Sequence, residues 1–225
     1  MGMPDDAIVE VLQNRLFLYS FLGRLFAVEP DGDLVGLITN RHLAEEFLVL
    51  DTNGQAEELL HICMRNSLLG DSEALEKIEE EYTRLFIGPE KLPAPPWESV
   101  YVSGEPLLFQ ESTLAVREAY LREGFRAAGY PHEADDHVAT ELNFMAALCK
   151  RTLDTYENGD TELCRSTLEA QARFLSEHLL VWIREFSDRL GAVRGISAFY
   201  PSFAALAALV CERDAEVIQE LLAEI

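Results

Sequence analysis

The stretch "SEALEKIEEEYTRLFIGPEKLPAPPWESVY", residues 72–101, joins a strong helical pattern to a proline-rich segment. Ser72 is a suitable N-cap residue, and the apolar side chains after it recur in steps of three and four, which keeps one face of a helix buried. These side chains are Leu75, Ile78, Tyr82, Leu85 and Phe86. Gly88 and Pro89 then interrupt the pattern, because proline cannot continue a helix. We therefore predict a helix that begins after Ser72 and ends before a loop.

The same spacing recurs on both sides of this stretch, and it predicts an all-α protein. No run of alternating β-branched residues indicates a sheet. Five of the nine prolines lie between Ile87 and Pro106, in a segment that also carries large apolar side chains, so we expect an ordered loop. We predict one compact helical domain over residues 1–225, with about ten helices. The proline-rich loop would separate its N- and C-terminal halves, with a possible sub-boundary within 87–111.

Downstream of the loop, the pattern predicts several more helices. Gly129, Tyr130 and Pro131 end one of them, and Asp135 or Asp136 is the expected N-cap residue of the next. Beyond that helix, the expected segments are 161–190, 197–211 and 214–225. The last two are expected as separate helices.

The charge of the chain is strongly acidic. Forty Asp and Glu residues against eighteen Lys and Arg give a formal net charge of -22. Such a chain repels nucleic acid phosphates and anionic lipids, because those partners are bound by Lys and Arg. Charge therefore favours a basic partner and no nucleic acid, although acidity that only keeps the chain soluble explains the same composition.

Cysteine usage and hydropathy point to the cytoplasm. The four cysteines contain no C-x-x-C pair, which indicates reduced thiols rather than a zinc site or a disulfide framework. The first residues, "MGMPDDAIVEVL", are acidic where a secretion signal is basic. The longest uncharged run, between Arg194 and Glu212, contains Pro201 and is shorter than the ~20 apolar residues of a membrane span.

The tripeptide Trp97-Glu98-Ser99 allows two interpretations. In the first, Trp97 offers a rigid apolar face to a bound peptide, and Glu98 and Ser99 add a charge and a hydroxyl on a loop that helices hold in place. In the second, the tryptophan fills the core while the two polar residues cap the next turn. Composition alone leaves both open.

The stretch "YPHEADDHVATEL", residues 130–142, gathers two histidines and four acids around a predicted helix start. His137 and Glu141 lie four apart on one helical face, and Glu133 or Asp136 could complete a metal site, which would suit a metal-dependent hydrolase. His137 could also act as a base, but no nucleophile elbow or phosphate loop accompanies it. Acids at a helix start also need no function, because the helix dipole favours them.

Together the two stretches resemble the TorD/DmsD family of cytoplasmic redox-enzyme maturation chaperones. "YTRLF" at 82–86, Pro89 and "PPWESVY" at 95–101 are similar to the first signature of that family. "EADDH" at 133–137 is similar to its E-P-x-D-H signature, with Ala134 where the family usually has proline. The resemblance covers most of the chain after Leu75.

The resemblance implies an all-helical chaperone without a cofactor, a metal or enzymatic activity. It would bind the twin-arginine leader of a molybdenum-cofactor oxidoreductase subunit, or the apo form of that subunit, and delay export until the cofactor is inserted. It would act as a monomer or a domain-swapped dimer. A helical adaptor for other basic peptides is a further alternative. The peptide-binding residues would be Trp97 as the apolar anchor, Glu98, Glu133 and Asp136 as partners of the leader arginines, and His137 as their positioner. Ser99 would cap a turn or bond a bound backbone, and Tyr82 and Phe86 also belong to the signature but are more suited to the core.

Overall fold

The computed structural model describes residues 5–39, 43, 45–47, 54–66, 72–88, 91–103, 110–129 and 134–225. Ten named α-helices and no β-strand lie within these ranges, which confirms the predicted all-α class. None of these helices is both long and apolar enough to cross a bilayer. The helices are α1 (Asp5–Ala27), α2 (Gly32–Thr39), α3 (Gln55–Asn66), α4 (Ser72–Tyr82), α5 (Glu98–Val102), α6 (Glu111–Arg122), α7 (Val138–Glu157), α8 (Thr161–Phe174), α9 (Leu180–Gly191) and α10 (Phe199–Glu224).

Two π-helical turns extend the regular helices. Thr83–Ile87 continues α4 to Gly88, and Leu175–Leu179 joins α8 to α9, so that residues 161–191 form one helical run. The predicted segment over 161–190 is therefore confirmed.

The C-terminal helix differs from the prediction of two segments. Helix α10 runs from Phe199 to Glu224 without a break, because Glu212 and Arg213 are good helix formers and no glycine or proline separates the predicted halves. Pro201 lies in the first turn, where its missing N–H removes no helical hydrogen bond. Asp214, the expected start of a last helix, lies within α10 and is fully buried.

The segment expected as a loop also contains a helix. Residues 91–97 belong to no helix, but Glu98–Val102 form the short helix α5. Five residues are too few for a periodic apolar pattern, so the sequence signal was absent. Their helical conformation depends on contacts with the start of α7, which are described below.

Helices α1, α7 and α10 organise the core. Helix α1 packs along α7, while α10 contacts α1, α3, α8 and α9. Aromatic rings fill part of the space between them: the ring centroid of Phe86 lies 5.9 Å from that of Phe26 and 5.1 Å from that of Tyr200. The centroid of Phe186 lies 5.9 Å from that of Phe26. These edge-on arrangements are the favoured geometry for aromatic pairs.

A buried ion pair ties α1 to α10. Arg15 Nε lies 2.5 Å from Asp214 Oδ1, and both side chains are fully buried. The hydroxyl of Tyr19 donates to the same carboxylate at 2.8 Å, and the Arg15 guanidinium also donates to Gln171 of α8. Removal of one partner from such a pair typically costs about 3–5 kcal/mol, because the remaining charge is left buried. The pair therefore fixes the position of α10 against α1 and α8.

Candidate functional site

An antiparallel β-bridge between Trp97 and His137 joins the two motif segments. The amide of Glu98 donates to the carbonyl of Asp136 at 3.0 Å, and the amide of Val138 donates to the carbonyl of Pro96 at 2.8 Å. The bridge lies directly before α5 on one segment and directly before α7 on the other. Two motifs that are about forty positions apart in the chain therefore share one surface.

The carboxylate of Asp136 caps α5 across this bridge. Its Oδ2 accepts a hydrogen bond from the backbone amide of Ser99 at 2.9 Å, and the aspartate is fully buried. The amides at a helix start have no partner within the helix, so an acid beside them is stabilising. Asp136 was expected as a cap of the helix that follows it, but His137 is the N-cap residue of α7. The expected local cap is thus replaced by a long-range one.

Glu98 points inward to His178. His178 Nδ1 lies 3.1 Å from Glu98 Oε2, and both side chains are buried. Burial raises the pKa of Glu98, the hydrogen bond and charge of His178 oppose that rise, and the charge of Asp136 adds to it. The contact fastens α5 to the π-helical turn between α8 and α9.

Glu141 lies one turn into α7 and is also fully buried. Its Oε2 accepts a hydrogen bond from Trp182 Nε1 at 3.3 Å. Burial raises the pKa of Glu141 well above its ordinary value, and the neighbouring charges of Glu98 and Asp136 raise it further. Burial and the two neighbouring acids therefore both disfavour the charged form of this side chain.

Trp97 and His137 form the accessible part of the motif surface. Both side chains are half-buried, and their ring centroids lie 5.6 Å apart at an edge-on angle of 75°. His137 Nδ1 accepts a hydrogen bond from the amide of Ala139 at 3.1 Å, and burial lowers the pKa of His137 to about 4. The histidine is consequently neutral at pH 7 and presents an aromatic pair with Trp97.

Tyr82 and Phe86 lie in the core, as their helical stripe indicated. The ring centroids of the two residues are 5.3 Å apart, and both contact Tyr200, at 6.2 and 5.1 Å. Neither side chain exposes more than 8% of its surface. The structure therefore places them beneath the surface, in contact with Tyr200. Glu133, another predicted contact, lies outside the described residues.

Hydrogen bonds within the protein engage two of the atoms that a metal site at this motif could use. The Nδ1 atom of His137 is occupied as a helix cap, while the carboxylate of Glu141 is directed to Trp182. No group of three or more potential metal ligands occurs among the described residues, a range that leaves out His132 and Glu133. These contacts engage one nitrogen of His137 and one oxygen of Glu141, while His132 and Glu133, the rest of the cluster that the hydrolase alternative would use, lie outside the described residues.

A groove that the sequence analysis missed lies beside the motif segments. Its volume is about 870 Å³, and Lys91 and Pro93, which precede Trp97, contribute to its lining. The acidic side chains that line it are Glu29, Glu76, Glu79 and Glu80. The run "EKIEEE" at residues 76–81 carries the signal for this groove on the polar face of α4, whereas the apolar spacing marks only the opposite face.

Comparison with known proteins decides the family. The family model described as nitrate reductase delta subunit matches residues 51–188, which include both motifs. The chain belongs to this family.

Relatives in the nitrate reductase delta subunit family confirm the TorD/DmsD resemblance. The chain is 34% identical over 131 residues to the Haemophilus influenzae "Probable Tat proofreading chaperone DmsD", a match that covers 58% of this chain and 57% of that protein. The chain spans about half the length of the DmsD relatives it matches. It is 27% identical to the Vibrio cholerae "Chaperone protein TorD", with 94% of this chain and 95% of that protein covered.

A solved structure shares the fold of this member of the nitrate reductase delta subunit family. It is a crystal structure of an Archaeoglobus fulgidus protein described as a candidate redox enzyme maturation protein. The TM-score is 0.50 at 22% identity, and the match covers 86% of this chain and 91% of that one. At this identity the likeness concerns the fold alone.

The long-range cap predicts a difference between two neighbouring motif positions. Asp136→Ala removes the acceptor of the Ser99 amide, and we expect the free energy of unfolding to fall by about 1–3 kcal/mol. Ser99→Ala is the matched control, because it keeps that amide and removes a buried hydroxyl that has no hydrogen-bond partner among the described residues. Its effect should stay within about 0.5 kcal/mol. Urea unfolding followed by circular dichroism measures both, and equal losses would contradict the capping role.

The buried His137 predicts a pH dependence of stability. Its pKa is about 4 in the folded state and 6.5 ordinarily, so the unfolded chain binds more protons between these values. The contribution is present above pH 6.5 and is lost as the pH falls towards 4, by about 1–3 kcal/mol after allowance for partial exposure. His137→Asn keeps a capping acceptor but cannot titrate. Urea unfolding at pH 7 and pH 4.5 should show a smaller loss for the variant, and identical losses would refute the assignment.

Proposed function

We propose that the chain is a cytoplasmic chaperone, not an enzyme, for a molybdenum-cofactor oxidoreductase subunit. It binds the twin-arginine leader of that subunit, or its apo form, and delays export until the cofactor is inserted. Membership of the nitrate reductase delta subunit family supports this proposal, as do relatives named Tat proofreading chaperone and chaperone protein. The observation that carries it is the joining of the two motifs into one surface by the Trp97–His137 bridge.

Trp97 is the proposed apolar anchor of this surface. It is half-buried, so its ring is held by the protein while part of it remains open to a partner. Rigid aromatic side chains of this kind bind peptides at a low cost in conformational entropy. His137 positions the ring through their edge-on contact.

The acids of the motifs have a different role in the proposal. Glu98 and Asp136 were predicted as partners of the leader arginines, together with Glu133. In the structure Glu98 is paired with His178 and Asp136 caps α5, so an arginine reaches either carboxylate only if these contacts open. We assign Glu98 and Asp136 to holding the surface in shape, and the contact of Glu133 with the leader stays a prediction.

The sizes of the ionic and apolar contributions show which contacts supply affinity and which supply selectivity. An exposed ion pair contributes only about 0–1 kcal/mol, while micromolar binding requires roughly 8 kcal/mol. Burial of ~300 Å² of the apolar segment of a leader contributes on the order of 7 kcal/mol before ordering costs. Apolar contact at Trp97 therefore accounts for much of the affinity, and acidic side chains select a basic partner and speed its association.

Titration with synthetic leader peptides tests the proposal. Trp182 is buried and Trp97 is half-exposed, so a fluorescence change on addition of a leader reports mainly on Trp97. We expect saturable binding that weakens when both arginines of the leader are replaced by alanine. Trp97→Ala should weaken binding at least tenfold by calorimetry, since truncation of an interface tryptophan typically costs about 2 kcal/mol or more.

Trp97→Phe is the matched control for this substitution. It keeps an aromatic anchor and should recover most of the affinity that Trp97→Ala loses. If a folded Trp97→Ala protein binds the leader as well as the wild type does, Trp97 is not the anchor. Equal binding of the leader and of unrelated basic peptides would instead favour a general helical adaptor.

A further inference from the structure

The acidic groove beside the motifs has the properties of a cation-binding surface. Glu76, Glu79 and Glu80 of α4 line it, together with Glu29, which follows the end of α1. All four are exposed or half-exposed, and no ion pair among the described residues involves any of them. Carboxylates gathered in this way repel one another, and a bound cation removes that repulsion.

A buried tyrosine packs against the helical segment that carries three of the groove acids. The side chain of Tyr200 is fully buried, and its hydroxyl makes no hydrogen bond with any described residue. Burial is the main cause that raises the pKa of Tyr200, and the charges of Glu29 and Glu79 from the groove lining contribute to the rise. The Tyr200 ring packs against the rings of Tyr82 and Phe86, at centroid distances of 6.2 and 5.1 Å, in the helical segment that carries three of the groove acids.

The two cations in the lining do not neutralise these acids. The guanidinium of Arg84 donates to the carbonyls of Gly195 and Arg194, at 3.1 and 3.2 Å, so it is anchored to the turn before α10. Lys91 lies in the segment that leads to Trp97. Among the described lining residues, four carboxylates against two cations leave a net charge of minus two.

Apolar side chains accompany the acids. Pro93 and Val193 belong to the groove lining. Val28 and Ile87, the chain neighbours of the lining residues Glu29 and Gly88, expose 48% and 65% of their surface. Large apolar side chains that are exposed beside a cleft are typical of interaction surfaces. The groove therefore suits a partner that is both basic and apolar.

The groove is continuous along the chain with the motif surface. Pro93 lines the groove, and Trp97 is four residues later, so their Cα atoms are at most about 14 Å apart. An extended peptide of a few residues spans that distance. The volume of the groove, about 870 Å³, also falls in the range of roughly 300–1,000 Å³ that is usual for ligand clefts.

We propose that this groove holds the two adjacent arginines of the leader, while the apolar segment of the leader contacts Trp97. The guanidinium groups pair with carboxylates from Glu29, Glu76, Glu79 and Glu80, because the planar fork of arginine matches a carboxylate in two parallel hydrogen bonds. The inference rests on the proposed function and assigns a separate subsite to the arginines. It places the charge recognition on α4 instead of the buried motif acids.

A matched pair of triple variants tests the groove. The groove variant carries Glu76→Gln, Glu79→Gln and Glu80→Gln. It loses three groove charges and keeps good helix formers at these positions. The control variant carries Glu157→Gln, Glu162→Gln and Glu169→Gln, which remove the same charge from α7 and α8. Each protein is titrated by calorimetry with the arginine leader and with its double-alanine form, after circular dichroism has verified the helical content.

We expect the groove variant to bind the arginine leader about tenfold more weakly than the wild type does. Its affinity for the alanine peptide, and the affinity of the control variant for both peptides, should stay within twofold of the wild-type values. Wild-type affinity in the groove variant would overturn the groove assignment and leave the proposed function intact. Equal losses for both peptides would overturn the arginine pairing. A wild-type protein that binds neither peptide would instead refute the proposed function itself.

Discussion

The hydrogen bond between the Asp136 carboxylate and the Ser99 amide is the contact on which the motif surface depends. It joins the start of α5 to the segment before α7, and the two backbone hydrogen bonds of the Trp97–His137 bridge flank it. A buried carboxylate without such a partner would be costly, so the three hydrogen bonds select one arrangement of the two segments. Trp97 and His137 are thereby presented side by side, although they are distant in sequence.

Most motif residues support this surface from below and only a few form it. Glu98 reaches His178, Glu141 accepts from Trp182, and the rings of Tyr82 and Phe86 pack in the core. Trp182 contacts Phe186 at 5.6 Å between ring centroids, which connects the acids with the aromatic core. The motif residues therefore determine how the surface is held in place as well as which side chains are open to a partner. A partner would meet the half-exposed aromatic pair and the adjoining acidic groove.

Local patterns in the sequence predicted the helices well, because apolar spacing of three and four reflects burial of one face. Long-range contacts were beyond such patterns. Asp136 fits a local N-cap rule, yet its carboxylate pairs with an amide of another segment. Helix α5 has only five residues, which is too few to show an apolar period. The break that we expected before Asp214 is absent, because that residue pairs with Arg15 inside a continuous helix. The groove was missed because it depends on what the polar face of α4 meets in space.

In the proposed complex, a bound leader lies across the α4 groove and the Trp97–His137 surface. Hydrogen exchange measured by mass spectrometry, with and without a saturating leader peptide, tests this placement most directly. Slower exchange is predicted in peptides that cover 76–88, 91–103 and 134–141, because a bound chain excludes water and restrains the bridge and cap amides. Exchange in 111–122 and 161–174 should stay unchanged. Protection confined to those two helices, with the motif segments unaffected, would contradict the account.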